Sequence, residues 1–217
     1  MAQLLDLLLI VALAVNFAAL GVSRIRAVIS AVALQGVLLG ICPLLLHSDL
    51  GLGLRGIVLV AVTIILKGVL IPVFLVHAMR EADIQHEDHP LVGSMSSLLL
   101  GAVGTGLAMM FSSTLPLAKD ETNLLIVPAS LSMVWTGFLM LTTRRKAIMQ
   151  VLGYLLLENG IYLFGLLLLE AVPFLVEVGV LLDVFTGVFV LGIIVYHINR
   201  EFASISTEHL TNLKEEP

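Results

Sequence analysis

Apolar stretches of about 18 residues or more recur along this chain, and each is long enough to cross a bilayer as a helix. That feature restricts the fold most. A bilayer interior offers no water to backbone N–H and C=O groups, so a spanning chain is either helical or closed into a barrel. Barrel strands alternate apolar with polar residues. Runs such as Leu7-Leu8-Leu9-Ile10-Val11-Ala12-Leu13-Ala14-Val15 do not alternate. Composition agrees: 59% of the 217 residues are apolar and 12% charged, about half the charged share of a soluble domain. Mean hydropathy is +1.09. The chain is expected to be an all-α membrane protein of about seven transmembrane helices, at roughly 4–22, 27–46, 57–79, 93–112, 123–142, 147–169 and 173–197.

Basic residues in short loops set orientation. Arg24, Arg26, Arg80, Arg144, Arg145, Lys146, Arg200 and Lys214 all fall on one side of the predicted spans. Only Arg55 and Lys119 fall on the other. The N-terminus is therefore expected outside and the C-terminus in the cytoplasm. Ala12 and Ala14 imitate a cleavage site, but residues 1–8 contain Asp6 and no basic residue, so the first span reads as retained. The lone Cys42 excludes an internal disulfide and cysteine-ligated clusters. With a net charge of −5, nucleic acid is not expected as a partner.

A weak repeat runs at an offset of 120 residues. Arg24-Ile25-Arg26-Ala27-Val28-Ile29 lies over Arg144-Arg145-Lys146-Ala147-Ile148-Met149, and His77-Ala78-Met79-Arg80-Glu81 lies over His197-Ile198-Asn199-Arg200-Glu201. It suggests an N-terminal three-helix unit (1–92), a linking helix (93–120), a second three-helix unit (121–200) and a cytoplasmic tail (201–217). Chance similarity between loop edges is the plainer account of the same residues.

Three ionisable residues fall deep within spans: Lys67, Glu158 and Asp183. A charge at mid-membrane costs about 2.5–3.5 kcal/mol on insertion scales, so each needs a partner or a purpose. Counted from the basic side, Glu158 is about 16 Å deep, Lys67 about 16–18 Å and Asp183 about 21 Å. A short loop joins the spans of Glu158 and Asp183, so these are expected to be antiparallel neighbours. Such carboxyls can relay a proton or ion; the alternative is a structural acid bonded to a neighbouring subunit. Lys67 can pair with a carboxylate or serve as a switchable charge. Pro72, five residues on, removes the donor that the Gly68 carbonyl normally receives. Gln35 fits an interhelical hydrogen bond, and Asn159 and Tyr162 are placed to support Glu158. Glu177, near the outer end of its span, is either an interfacial acid or the mouth of a path. Gly101, Gly104, Thr105 and Gly106 form a small-residue strip suited to close packing. His86, Glu87, Asp88 and His89 read as a solvated loop that docks on a peripheral subunit rather than as a metal site. Nothing in the chain reads as a cofactor-binding or catalytic centre.

From Arg144 through Gly153-Tyr154-Leu155-Leu156-Leu157-Glu158-Asn159-Gly160, the chain resembles the second helix of the small three-helix K-type subunit of respiratory complex I, shared by Mrp-type antiporters as their C subunit. With Leu175-Val176-Glu177-Val178-Gly179, Asp183, the tail Leu210-Thr211-Asn212-Leu213-Lys214 and, in the first half, Leu66-Lys67-Gly68-Val69-Leu70-Ile71-Pro72, it is more similar to the component E family of hydrogenase-4. The resemblance implies a non-catalytic membrane subunit of a nickel–iron hydrogenase-type oxidoreductase complex in a prokaryotic inner membrane. Its partners would be antiporter-like and other membrane subunits, a peripheral cytoplasmic hydrogenase arm and membrane lipid. The membrane arm would translocate protons or sodium. Of the two membrane glutamates of the K-type subunit, the second aligns with Asp183. The first aligns with Leu155, and Glu158 lies three residues later on nearly the same face. An Mrp-like antiporter subunit and a purely structural scaffold are the competing readings.

Overall fold

The computed structural model describes residues 2–46, 54–81, 90–115 and 125–167, with isolated positions 185 and 192. Among these, the protein is built of helices: α1 (Ala2–Gly21), α2 (Ile25–Leu46), α3 (Leu54–Ile65), a π-helical turn (Leu66–Leu70), α4 (Ile71–Glu81), α5 (Ser94–Thr114), α6 (Ile126–Thr143) and α7 (Ala147–Leu167). Helix α3, the π turn and α4 run on as one rod, so the described residues contain six helices long and apolar enough to cross a membrane. The fold is that of a multi-pass all-α membrane protein. Each of the six lies within a few residues of its expected span. The expected span 173–197 and the tail lie outside the described residues.

Helices α1 and α2 form one hairpin and α6 and α7 another, and the two pack together through α1 on α6 and α2 on α7. The third span flanks α2, and α5 flanks α1 and α6. Small residues let these apolar helices approach, because lipid supplies no hydrophobic drive between them. Gly137 and Gly153 set α6 and α7 backbone to backbone, and Gly160 fits against Val134. In the small-residue strip, Gly101 receives Leu20 of α1 and Gly104 receives the Trp135 indole of α6. Gly106 faces open space, so the packing role holds for part of the strip only. Trp135 also donates Nε1–H to the Leu100 carbonyl at 3.0 Å. Trp135→Phe keeps the ring in its seat and removes that bond; it is expected to lower stability by about 1 kcal/mol, read as a small drop in unfolding midpoint in micelles.

Burial gives one loop residue a second role. Arg144 lies in the turn between α6 and α7, as expected, but is only 2% exposed, and its guanidinium donates to the Leu20 carbonyl at 2.8 Å. Leu20 lies in the last turn of α1, where carbonyls lack helical donors and the helix dipole favours a cation. The arginine thus fastens the α6–α7 turn to the end of α1. Arg144→Met should cost about 1.5–3 kcal/mol, the range for a hydrogen bond to a charged group, whereas the exposed Arg26→Met should change stability little; thermal unfolding of both variants checks this.

The core is split by depth. One apolar cluster, with Ala19, Leu20, Val32, Ile71, Met140 and Leu155, fills the end of the bundle that carries the basic turns. The other, with Leu9, Ala12, Leu39, Met133, Tyr162 and Leu163, fills the opposite end. Between them α1, α2, the third span, α6 and α7 contribute polar side chains at one level: Asn16, Gln35, Lys67, Thr136, Glu158 and Asn159, all buried.

Candidate functional site

Three helices build the centre of that polar layer. Helix α2 supplies Gln35, the π turn supplies Lys67, and α7 supplies Glu158, Asn159 and Tyr162. The π turn has a cause in sequence. Pro72 has no N–H and its ring opposes the carbonyl four residues back, so the α-helical ladder cannot run undisturbed through Gly68. The chain widens by one residue, and the Ile71 N–H reaches the Leu66 carbonyl, five residues back. Lys67 sits in this widened turn. Gly36 makes room for it: a Cβ at position 36 would stand 2.7 Å from the Lys67 Cβ. Gly40 against Ile64 and Gly68 against Val37 close the same contact on either side.

Lys67 is 6% exposed and Glu158 2%. Their charged groups lie 3.8 Å apart, an ion pair longer than a hydrogen bond. The Lys67 ammonium donates to the Asn159 Oδ1 at 3.1 Å and lies 5.2 Å from the centre of the Tyr162 ring, within cation–π range. Asn159 Nδ2 donates to the Gln35 Oε1 at 3.1 Å, and Gln35 Nε2 donates to the Ala12 carbonyl at 3.3 Å. Each link in this chain of amides presents an oxygen toward the lysine. The dipoles add, and their negative ends stabilise the ammonium in a low-dielectric setting. A small cavity with room for about one water lies over Lys67 and Asn159, walled by Val32, Ile71, Pro72, Leu75 and Leu155.

The structure thus brings together Lys67, Glu158, Asn159, Gln35 and Tyr162, five of the seven residues expected at a site. Asp183 and Glu177 lie outside the described residues. Lys67 takes the carboxylate partner expected of it, from this same chain. Gln35 makes its interhelical bonds, to α1 and α7. Asn159 differs: its amide bonds Lys67 and Gln35 rather than Glu158, because the ammonium is the stronger claimant on its oxygen. The expected metal-free loop at His86, Glu87, Asp88 and His89 falls outside the described residues.

A second polar chain was not anticipated. Asn16 Nδ2 donates to the Thr136 Oγ1 at 2.8 Å, Thr136 donates to the Ser132 carbonyl at 2.8 Å, and the Ser132 and Thr105 hydroxyls share a bond of 2.6 Å. It ties α1, α6 and α5 at the level of the ion pair. Asn16, alone among apolar neighbours in the first span, was the signal for it. Asn159→Leu should cost about 1–3 kcal/mol, since it leaves the Gln35 amide oxygen buried with no donor from α7; Asn16→Leu, one turn from Ala12, should leave the Lys67–Glu158 distance unchanged, measurable by cross-linking between positions 67 and 158.

Comparison with known proteins then places the chain. An uncharacterised protein of Mycobacterium tuberculosis is 35% identical over 198 residues, covering 88% of this chain and 87% of that one. Hydrogenase-4 component E of Escherichia coli K12 is 30% identical over 152 residues, 69% of each chain, and that of Shigella flexneri matches to the same extent. The chain belongs to the hydrogenase-4 component E family. No family model and no solved structure matches it. The matched stretch covers most of the chain, far more than a short motif.

Proposed function

We propose that this protein is a membrane-arm subunit of a complex I-like, nickel–iron hydrogenase-type redox complex, and that it contributes Lys67 and Glu158 to a path for protons or sodium ions. The family relationship to hydrogenase-4 component E supports the first part. The Lys67–Glu158 pair, buried at mid-depth between two apolar clusters, carries the second. Ionisable residues in spans are expensive and rare, and they line substrate, ion and proton pathways. The geometry suits exchange at Glu158. Its carboxylate is 3.8 Å from the ammonium, so a proton can arrive there without first breaking a short hydrogen bond to Lys67. The lysine meanwhile stays fixed by Asn159 and the Tyr162 ring. The family resemblance adds Asp183 to the same path.

The orientation drawn from the basic turns, N-terminus outside and C-terminus cytoplasmic, is part of the proposal. So is the division into two three-helix units. Asn16 and Thr136, bonded directly, are 120 residues apart, and α1 and α6, α2 and α7 begin and end near that offset.

Complex membership is tested by affinity isolation of the tagged chain from native membranes in mild detergent. A nickel–iron subunit is expected to co-purify. Recovery of cation/proton antiporter subunits with no nickel–iron protein would overturn the hydrogenase assignment.

A further inference from the structure

We propose that water reaches the Lys67–Glu158 pair from one side of the membrane only, through the crevice beside Pro72, on the side of the basic turns. The inference rests on the ion-path reading above and gives that site a direction.

Three observations place the opening. First, the cavity over Lys67 and Asn159 extends toward the basic end and not away from it. On the third span its walls are Ile71, Pro72 and Leu75, the residues between Lys67 and Arg80. On α2 the walls are Ile29 and Val32, nearer than Gln35 to Arg26, and on α7 the wall is Leu155, nearer than Asn159 to Lys146. From Lys67 to Leu75 is about 12 Å along the helix, two turns. Second, the crevice has a polar floor. A water there meets the Lys67 ammonium and the Asn159 amide. Two to four polar partners are what a buried water needs.

Third, among the described residues the opposite direction is packed shut. Beyond Lys67 the third span presses on α2. A Cβ on Gly40 would stand 2.7 Å from Ile64. Gln35 occupies the space toward α1 by its bond to Ala12. Leu39, Cys42 and Leu163 fill the layer above with apolar atoms. No polar side chain on α2 or α7 beyond the Gln35–Asn159 level joins that layer apart from Tyr162, whose ring already faces Lys67.

Thiol protection by silver ion tests this. Silver is small, binds thiolate and does not cross lipid unaided. In the full complex, with Cys42 replaced by alanine, single variants Ile71→Cys, Leu75→Cys, Thr63→Cys and Ile64→Cys are prepared in sealed vesicles of each orientation. Ser23→Cys, in the exposed turn between α1 and α2, reports which side carries the basic turns. Thiols left free are counted by alkylation after denaturation. Silver added on the Ser23→Cys side should abolish alkylation at 71 and 75, while positions 63 and 64 keep full alkylation from either side. Silver protection at 63 or 64, or none at 71 and 75, overturns the one-sided crevice. Ion movement is measured in the same vesicles with Glu158→Gln. One-sided protection with unimpaired translocation leaves the crevice standing and removes the ion-path reading; lost translocation with two-sided protection does the reverse.

Discussion

Lys67→Met lowers the stability of the folded chain by about 3–5 kcal/mol, the cost of removing one member of a buried ion pair and leaving the opposite charge behind. The size follows from burial: both side chains are almost wholly out of contact with the surroundings, so no solvent screens the Glu158 carboxylate once the ammonium 3.8 Å away is gone. The Asn159 oxygen loses its donor as well. The partner substitution separates charge from packing. In the double variant Lys67→Met with Glu158→Gln, no net charge is stranded, and most of the loss is expected to return. Unfolding midpoints of the two single variants and the double variant complete a double-mutant cycle. A coupling near zero would mean that the two groups do not interact in the folded protein.

The second large effect is steric. Gly137→Val places a branched side chain where α6 meets the backbone of Leu157 and the Gly153 carbonyl on α7. Backbone cannot rotate out of the way as a long side chain can, so the helices must part. The cost is expected near the top of the usual overpacking range, about 3 kcal/mol. Leu157 adjoins Glu158, so a shift of α7 also moves the carboxylate relative to Lys67. Gly106→Val on α5 is the control: a Cβ there meets nothing within 4 Å, and stability should stay within about 0.5 kcal/mol. Both are read from unfolding midpoints in the same micelles.

The spans were legible because a run of apolar residues has one economical fate in water and lipid. Lys67 and Glu158 were each legible for the converse reason: a charge in such a run is costly enough to demand a partner. Their pairing was not, because the sequence set Glu158 beside Asp183 on the next span and left the partner of Lys67 open. What a single helix does not reveal is how its neighbours meet it. Pro72 announced a lost hydrogen bond, but not that the π turn it causes would set Lys67 against Gly36 of the facing helix. Asn159 stands beside Glu158 in sequence, yet adjacent helical residues point about 100° apart, and its amide turns to Lys67 and Gln35. Arg144 was legible as a loop charge, but not its bond to the end of α1, which only the packing of that helix supplies. Asn16 was a lone amide in a leucine-rich span, and only the position of α6 gave it Thr136.

Ion translocation by the assembled complex carrying Glu158→Gln tests the central claim most directly. Glutamine keeps the shape of the side chain and cannot carry the exchangeable proton or the charge. In sealed membrane vesicles driven by the complex's own electron donor, ion uptake should fall to a small fraction of the wild-type rate. Electron transfer by the peripheral arm to an artificial acceptor should persist. Ion uptake at the wild-type rate per electron, in vesicles holding the full complement of complex, would contradict the account and leave the protein a scaffold.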